Sequence, residues 1–281
     1  RPASIGISEQ YSFFDELAAD PNQANKLWVA YDGGLRPYIE GQGFGDIPSG
    51  LPANEICEDV AVSTSGNVVL ASMSFQPAGS QSTGYISIDG GATFTEITAF
   101  PSNTTRLEFA ISPDDENYIY TATVVPGRIG KFDGVFVTTN KGASWTRIWD
   151  IDQADPDPGS QAEYDLAITV IPGNKDLAIV GVLDLWSVGI STIPNNIAFA
   201  GWPYFQPGSD ISAPSGLFDE NGDPIPVIDF SIHADIHEFH WANDSTLYVG
   251  TDGGVFASFD AGFRYRHSNR FYNVTQFYSI G

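Results

Sequence analysis

Three potential metal ligands, His233, Asp235 and His237, occupy alternate positions in the last fifth of the chain. Side chains at alternate positions of a β-strand point to the same face, so a strand here would bring all three together. Imidazole and carboxylate groups suit Zn²⁺, and carboxylate oxygens suit Ca²⁺. The same pattern also fits a buried polar network in which each imidazole is hydrogen-bonded to a carboxylate or a backbone carbonyl. The residues therefore predict either a divalent-cation site or a structural network. We expect no cofactor to be required.

Two carboxylates, Asp32 and Asp252, each precede a Gly-Gly pair in similar sequence surroundings. Carboxylates that face each other across a cleft can serve as acid and base in glycoside hydrolysis. Asp-Gly-Gly is also a common turn sequence, because Gly adopts backbone angles that other residues avoid. Trp202 and Tyr204 are candidates for stacking on sugar rings, while aromatic side chains also pack between sheets. These residues make glycan binding or cleavage the chemistry to be tested.

The composition of the 281 residues excludes several classes of partner. Twelve Lys and Arg against 35 Asp and Glu give a formal charge of −23, which argues against binding nucleic acid or anionic lipid. Cys57 is the one cysteine, so neither an intrachain disulfide nor a CxxC site can form. No apolar run is long enough for a transmembrane segment. The acidity fits solubility in an extracellular setting, or several Ca²⁺ sites.

Internal repeats decide the fold class. The segments 27–35 (LWVAYDGGL) and 247–255 (LYVGTDGGV) share five of nine residues, and the same register gives four short strands per unit. Units of this size with four strands predict an all-β propeller, since one sheet buries both faces only by stacking on neighbours. A β-sandwich is the competing architecture. The predicted blades of this single domain are 10–53, 54–100, 101–150, 163–206 and 232–270, followed by the start of another.

A predicted insertion, 207–229, interrupts the repeats between the fourth and fifth blades. Its D-x-N-x-D spacing at 219–223 resembles half of a Ca²⁺ loop, but Asn-Gly at its centre is also the commonest hairpin turn. Long insertions in compact folds are often where ligands bind.

A polar turn of the form S-x-D-x-G-x-T/S-F/W recurs between the third and fourth strands of three units. The side-chain oxygen of the Asp or Asn would accept hydrogen bonds from the backbone of the turn. Gly would take a positive φ, and the aromatic side chain would pack between sheets. The residues concerned are Ser87, Asp89, Gly91 and Phe94 in the second unit, Asn140, Gly142 and Trp145 in the third, and Asp260, Gly262 and Tyr265 in the fifth.

This turn resembles the Asp-box, or BNR, repeat of sialidase-like propellers, which sortilin-type receptors and xyloglucanase-like glycoside hydrolases share. The turn together with H-x-D-x-H, LYVGTDGGV and TQFY at 275–278 is similar to a group of large secreted bacterial BNR proteins. That resemblance implies a secreted or cell-surface location and a propeller that continues past Tyr278 in a larger chain. TDGGV is similar to the T-D-x-G-G segment that carries a catalytic carboxylate in xyloglucanase-like enzymes, which implies Asp252, although the residue between Asp and Gly-Gly is missing here. The Arg-Ile-Pro motif of sialidases is absent from the sequence.

Three functions fit these observations. The first is a binding or scaffold module for a glycan or a surface protein. The second is a xyloglucanase-like glycoside hydrolase that uses the paired carboxylates. The third is a structural subunit of a surface assembly, in which the segment 271–281 would pair with another chain.

Overall fold

The computed structural model describes residues 14–53, 55–74, 81–127, 130–151, 161–190, 197–199, 232–262 and 265–268. Within these residues, twenty strands form five antiparallel sheets of four strands, and every strand pairs with its neighbour along the chain. The molecule is an all-β, five-bladed propeller, and the predicted fold class is confirmed. Trp202 and Tyr204, the predicted insertion at 207–229 and the predicted further strand at 271–281 lie outside the described residues.

Each sheet forms one blade. Blade 1 consists of β1 (Phe14–Ala19), β2 (Lys26–Tyr31), β3 (Gly34–Ile39) and β4 (Gly43–Phe44). Blade 2 consists of β5 (Ile56–Val62), β6 (Val69–Ser74), β7 (Ser82–Ser87) and β8 (Thr95–Glu96). Blade 3 consists of β9 (Arg106–Ile111), β10 (Ile119–Val125), β11 (Lys131–Thr138) and β12 (Thr146–Asp150). Blade 4 consists of β13 (Ala167–Val170), β14 (Leu177–Gly181), β15 (Leu185–Gly189) and β16 (Ile197–Phe199). Blade 5 consists of β17 (Ile236–Asn243), β18 (Thr246–Thr251), β19 (Gly254–Ser258) and β20 (Arg266–His267).

Four apolar cores lie between successive blades, because the two-residue period of each strand sends alternate side chains toward the two neighbouring sheets. Between blades 3 and 4, the rings of Trp149 and Trp186 are 5.6 Å apart. In the same interface the Tyr120 hydroxyl donates to the Lys175 carbonyl at 2.8 Å. Burying each large apolar side chain stabilises the fold by about 1.5–3 kcal/mol. Stacking of the blades therefore holds the propeller together.

The face of blade 5 that points away from blade 4 is exposed to solvent at two positions. Tyr120 and Val135 of blade 3 point toward blade 4 and are both 0% exposed. The residues in the corresponding register positions of blade 5, Tyr248 and Val255, are 37% and 39% exposed. A surface that is an interface in blade 3 is thus uncovered at these two positions in blade 5.

The turn after β7 has the hydrogen bonds predicted for it. The Asp89 carboxylate accepts from the Thr93 amide at 2.9 Å, from the Thr93 hydroxyl at 2.6 Å and from the Ser87 hydroxyl at 2.7 Å. These bonds lower the pKa of Asp89 to about 2. Gly91 has a φ of 82°, and Phe94 is buried in the core between blades 1 and 2.

The turn after β11 is built in the same way with an amide in place of the carboxylate. Asn140 Oδ1 accepts from the Ser144 amide at 2.9 Å, and the Thr138 hydroxyl accepts from the amide of Gly142 at 3.0 Å. Gly142 has a φ of 79°. Trp145 follows the turn and packs against the core between blades 2 and 3. An acid is therefore not required for this turn geometry.

The turn after β19 completes the set. The Ser258 hydroxyl donates to Asp260 Oδ1 at 2.9 Å and accepts from the Gly262 amide at 2.8 Å. Tyr265 is buried in the core between blades 4 and 5. In all three turns the aromatic residue packs toward the preceding blade, as predicted. Among the described residues no helix has the length and apolar character needed to cross a bilayer.

Candidate functional site

The first strands of all five blades surround a cavity of about 440 Å³ on the axis of the propeller. We call it the axial cavity. Its lining is strongly acidic. The described residues contribute seven carboxyl groups to it: Asp15, Glu16, Glu58, Asp59, Glu108, Glu163 and Glu238. Among the described residues, Arg106 is the one Lys or Arg that faces this cavity, and His237 is the one histidine.

Four of these acids form a ring, since they occupy the same register position in different blades. Each lies opposite a small residue on the second strand of its own blade, which leaves room near the crowded axis for the acidic side chain. The pairs are Glu16 with Ala30, Asp59 with Ser72, Glu108 with Ala122, and Glu238 with Gly250. In blade 4 the position holds Ala167, opposite Gly181. The propeller repeat thus places one carboxyl per blade at one level of the cavity, except in blade 4.

A β-bulge immediately precedes the ring acid in three blades. The pairing of β1, β5 and β17 with their neighbours slips by one residue at Asp15, Glu58 and His237. A bulge inserts one extra residue, so two consecutive side chains can face the same side of a sheet, which a regular strand forbids. As a result, Asp15, Glu58 and His237 line the axial cavity together with the ring acid that follows each of them.

Burial and mutual repulsion raise the pKa values of the ring acids. Burial raises the pKa of Glu16 to about 7, and the neighbouring Glu238 and Asp15 carboxylates add to the effect. Burial also raises the pKa of Glu238, with a smaller contribution from Glu108. At neutral pH the ring therefore holds protons that exposed carboxyl groups would have released.

Arg106 compensates part of this negative charge. Its guanidinium donates to Glu108 Oε1 from Nη2 at 2.7 Å and from Nε at 3.0 Å. Further bonds run to the backbone carbonyls of Glu163 at 3.1 Å and Leu166 at 3.3 Å, which tie blade 3 to the start of blade 4. Even so, burial raises the pKa of Glu108 to about 7, against the lowering effect of Arg106. The single guanidinium of Arg106 therefore does not offset the effect of burial on the pKa of Glu108.

Asp59 has a structural partner as well as a place in the ring. Its Oδ2 accepts a hydrogen bond from the Phe109 amide at 2.8 Å, which joins blade 2 to blade 3. Burial, followed by repulsion from Glu108 and Glu16, raises the pKa of Asp59 well above its usual range.

Asp252 lies at the rim of the axial cavity in the two-residue turn between β18 and β19. Its Oδ1 is 2.8 Å from Nε2 of the cavity residue His237 and 3.5 Å from the Tyr164 hydroxyl. The edge of the Tyr164 ring packs on the His237 imidazole, with centroids 5.0 Å apart. Asp252, predicted from the sequence as a catalytic carboxylate close to the possible metal ligands, therefore forms a pair with one of those ligands, His237.

Asp32 occupies the matching turn of blade 1, between β2 and β3. Its carboxylate contributes to the raised pKa of Asp15, after the larger effect of burial. In blades 1 and 5 alike, the Asp of the Asp-Gly-Gly turn thus neighbours the bulged residue of the first strand. The described contacts place Asp32 and Asp252 beside different groups and do not join them to each other.

The predicted metal ligands are arranged differently from the sequence expectation. The strand predicted to include His233 begins at Ile236, and Asp235 has a φ of 65°, which breaks the alternation before the strand starts. His233 Nδ1 lies 2.8 Å from the Ala234 carbonyl, and His237 is engaged by Asp252. Nowhere in the described part of the chain do three His, Cys, Asp or Glu side chains already stand in the geometry of one metal ion. A cation at Asp235 stays a prediction.

Asp165 is the most perturbed carboxyl near this rim. It is 0% exposed, and no donor group of the described residues bonds to its carboxyl oxygens. Burial, then the Asp235 carboxyl within hydrogen-bonding distance and the charge of Asp252, raise the pKa of Asp165 to about 8. Sequence reasoning missed both this residue and the ring acids. An acid recurring just before the repeated apolar residues of four of the five first strands, as in DELA, EDVA, LEFA and HEFH, was the available signal for the ring.

No protein-family model matches the sequence, and no curated protein matches it. Solved structures show the fold to be shared with enzymes of the GH74 class. The chain is similar to the GH74 enzyme of Niastella koreensis, with a TM-score of 0.52 and 16% identity over 90% of this chain and 42% of that one. It is also similar to the GH74 xyloglucanase from Xanthomonas campestris, with a TM-score of 0.52 and 10% identity over 90% of this chain and 43% of that one. The chain thus spans less than half the length of these proteins, and identities this low show a common fold alone.

Proposed function

We propose that this chain is an extracellular or cell-surface Asp-box β-propeller that binds a glycan or a surface protein at its axial cavity. The observation that carries the proposal is the gathering of seven carboxyl groups around about 440 Å³ of space at the centre of five blades. This volume is typical of sites for small ligands or for one side group of a larger ligand. The hydrogen bonds of the three polar turns support the Asp-box assignment.

The charge of the axial cavity limits the chemical class of ligand that it can bind. Such sites are usually lined by apolar side chains, so a cavity lined by acids suits a polar ligand. Ionised carboxylates accept hydrogen bonds from sugar hydroxyls and from ammonium or guanidinium groups, and protonated carboxyls also donate. Anionic ligands are disfavoured by the net charge of −23. A neutral or amine-bearing glycan, or a Lys or Arg side chain of a surface protein, fits these conditions.

The test is a binding measurement on immobilised probes of both kinds. Chitosan oligosaccharides, neutral plant and algal polysaccharides and a Lys-rich peptide should be compared for the wild-type chain and the double variant Glu16→Gln/Glu238→Gln. We expect at least one probe to be retained, and the double variant to bind it at least about 10-fold more weakly, because two charge-assisted hydrogen bonds are lost. Glu96→Gln, on the exposed strand β8, is the matched control. Equal binding by both variants would refute the axial cavity as the ligand site.

A second candidate function, glycoside hydrolysis, is favoured by the rim around Asp252. This carboxylate lies beside His237, and the nearby Asp165 has a pKa of about 8 and so keeps a proton at neutral pH. Glycosidases require a carboxyl that keeps its proton and a second carboxyl near it, as the acid and the base of the reaction. The T-D-G-G resemblance to xyloglucanase-like enzymes points to the same residue.

Hydrolysis is tested by the release of reducing sugars from xyloglucan and from other plant, algal and bacterial polysaccharides. If the chain is a hydrolase, Asp252→Asn should lower the rate by about 10²–10⁴-fold, the usual contribution of an acid–base group. Asp184→Asn, a half-buried acid in the turn between β14 and β15, serves as the control. Ligand retention without sugar release would leave the binding module as the function. Release that survives Asp252→Asn would remove this residue from the catalytic role.

A third function, as a structural subunit of an assembly, is favoured by the open face of blade 5. Tyr248 and Val255 are exposed where the equivalent residues of blade 3 are buried. Light scattering across a range of concentrations would distinguish a discrete oligomer from a monomer. A monomer at every concentration would count against assembly through copies of this chain.

A further inference from the structure

Two aspartates, Asp165 and Asp235, meet between blades 4 and 5 with no hydrogen-bond donor between them. Asp165 lies two residues before β13 and Asp235 directly precedes β17. Their carboxyl groups are within hydrogen-bonding distance of each other. Both oxygens of Asp165 and Oδ1 of Asp235 are buried, and no donor group of the described residues bonds to them. Two buried carboxylates in contact cannot both carry their charge unless something positive lies between them.

Among the residues that the structure describes, the neighbouring side chains do not supply that positive charge. Asp252 adds a third negative group to the cluster, which increases the need for a cation. The guanidinium of Arg106 acts on Asp165 only as the weakest of the contributing charges, because it is bound to Glu108 and to backbone carbonyls. The imidazole of His237 is engaged by Asp252 at 2.8 Å. A proton or an added cation is therefore what the carboxyl pair can share.

We propose that Asp165 and Asp235 hold a hard divalent cation, Ca²⁺ or Mg²⁺, whose remaining coordination positions are filled by water. Hard cations prefer oxygen ligands, and one or two protein carboxylates with several waters suffice for Mg²⁺. Zn²⁺ is the poorer fit, because it favours nitrogen and sulfur ligands and the nearby imidazole is already paired. Compared with the site predicted from His233, Asp235 and His237, this one keeps Asp235 and replaces both histidines by a buried carboxylate.

Asp165 and Asp235 are not among the residues that line the axial cavity, so the inference does not depend on ligand binding there. A cation on Asp165 would, however, exclude this residue as the protonated acid of the hydrolase candidate. It would also have a mechanical effect. Asp165 belongs to blade 4 and Asp235 to blade 5, so a cation between them would add an ionic link to the apolar packing and the few hydrogen bonds that join these blades, such as that from Trp241 to Thr169. Ion binding should accordingly stabilise the folded chain by mass action.

The experiment is a calorimetric titration of the chain, freed of metal with EDTA, with Ca²⁺ and separately with Mg²⁺. We expect one ion per chain and a rise in melting temperature with ion concentration. Outer-shell partners of metal sites are typically worth about 10–100-fold in affinity, so removal of a direct ligand by Asp165→Asn or Asp235→Asn should cost at least about 100-fold. The control is Asp184→Asn, which removes a different acid of blade 4, and this variant should bind the ion like the wild type.

Two further measurements keep the result interpretable. The double variant Glu16→Gln/Glu108→Gln removes ring acids from the axial cavity and should retain the ion. Binding lost there and kept in Asp165→Asn would place the cation in the axial cavity and overturn the proposal. If Asp165→Asn fails to fold, Tb³⁺ luminescence of the wild type, sensitised by the adjacent Tyr164 and displaced by Ca²⁺, provides the readout, with Asp235→Asn as the variant. An absence of heat, thermal shift and Tb³⁺ signal in the wild type would show that the carboxyl pair shares a proton instead.

Discussion

Replacing Glu16 by Gln should stabilise this propeller at alkaline pH and leave its stability unchanged at acidic pH. Glu16 faces Glu238 across the axial cavity, and its pKa rises from 4.5 to about 7 on folding. Below pH 4.5 the carboxyl is protonated in both the folded and the unfolded chain, so it carries no penalty. Between pH 4.5 and 7 the unfolded chain releases the proton and the folded chain keeps it, so folded-state stability falls as the pH rises. Above pH 7 the loss is complete.

The loss of folded-state stability can be calculated from the pKa shift of Glu16. A difference of about 2.5 pKa units corresponds to about 3.4 kcal/mol at 1.36 kcal/mol per unit. Glu16 is partly exposed, and solvent screening reduces this by roughly half, to about 1.5 kcal/mol. For a chain of this length such a difference raises the melting temperature by about 3 °C. Glu16→Gln should therefore melt about 3 °C above the wild type at pH 8. At pH 4.5 the two proteins should melt at the same temperature.

Differential scanning calorimetry at pH 4.5, 6, 7 and 8 measures the difference directly. The control is Glu96→Gln on β8, which removes an exposed carboxyl far from the cavity and should give no difference that depends on pH. The reasoning fails if Glu16→Gln shows no gain at pH 8. It also fails if the gain is the same at pH 4.5, since a constant gain would come from side-chain packing and not from the carboxyl charge.

Three further predictions concern the scaffold. Gly91 and Gly41 have nearly equal φ values of 82° and 81°, but a Cβ on Gly91 would lie 2.3 Å from the Trp28 ring while one on Gly41 meets nothing within 4 Å. Gly41→Ala should then cost about 1 kcal/mol in urea unfolding and Gly91→Ala about 2–4 kcal/mol, and equal costs would contradict the steric argument. Tyr120→Phe removes the hydroxyl that donates to a blade 4 carbonyl and should cost about 1–2 kcal/mol, so an unchanged urea midpoint would show that this bond contributes nothing. Burial raises the pKa of the Cys57 thiol, so a thiol reagent should modify it only after unfolding, and rapid labelling of the native chain would contradict its burial.

The repeats in the sequence were sufficient to predict the blades, because blade formation depends on local patterns. The shared LxVxxDGG segment marks the second strand and its turn, which the structure places at β2 and β18. The acceptor role of the Asp side chain in the polar turns could be predicted, because Asp89 and its partners lie within a few residues of one another. Such contacts are fixed by spacing alone.

The site was harder to predict, because it depends on irregularities and on contacts between blades. A two-residue period assigned His233, Asp235 and His237 to one strand face, but a positive φ at Asp235 and a bulge at His237 interrupt that period. The pairing of Asp165 with Asp235 joins residues 70 positions apart in different blades. No local pattern reports such a contact.

Because of the β-bulges, the bulged residue and the ring acid that follows it can be changed independently by mutation. In each bulged blade one extra residue carries the outer side chain, and the ladder resumes in register immediately after it. Deleting the single codon for Glu58 would restore regular pairing of β5 and remove one acid, while Asp59 would keep its place opposite Ser72. Conversely, β9 pairs without a bulge, so a one-codon insertion before Glu108 would add an acidic position to blade 3. The charge of the cavity can thus change by insertion or deletion of single residues, one blade at a time, without rebuilding the sheets that surround it.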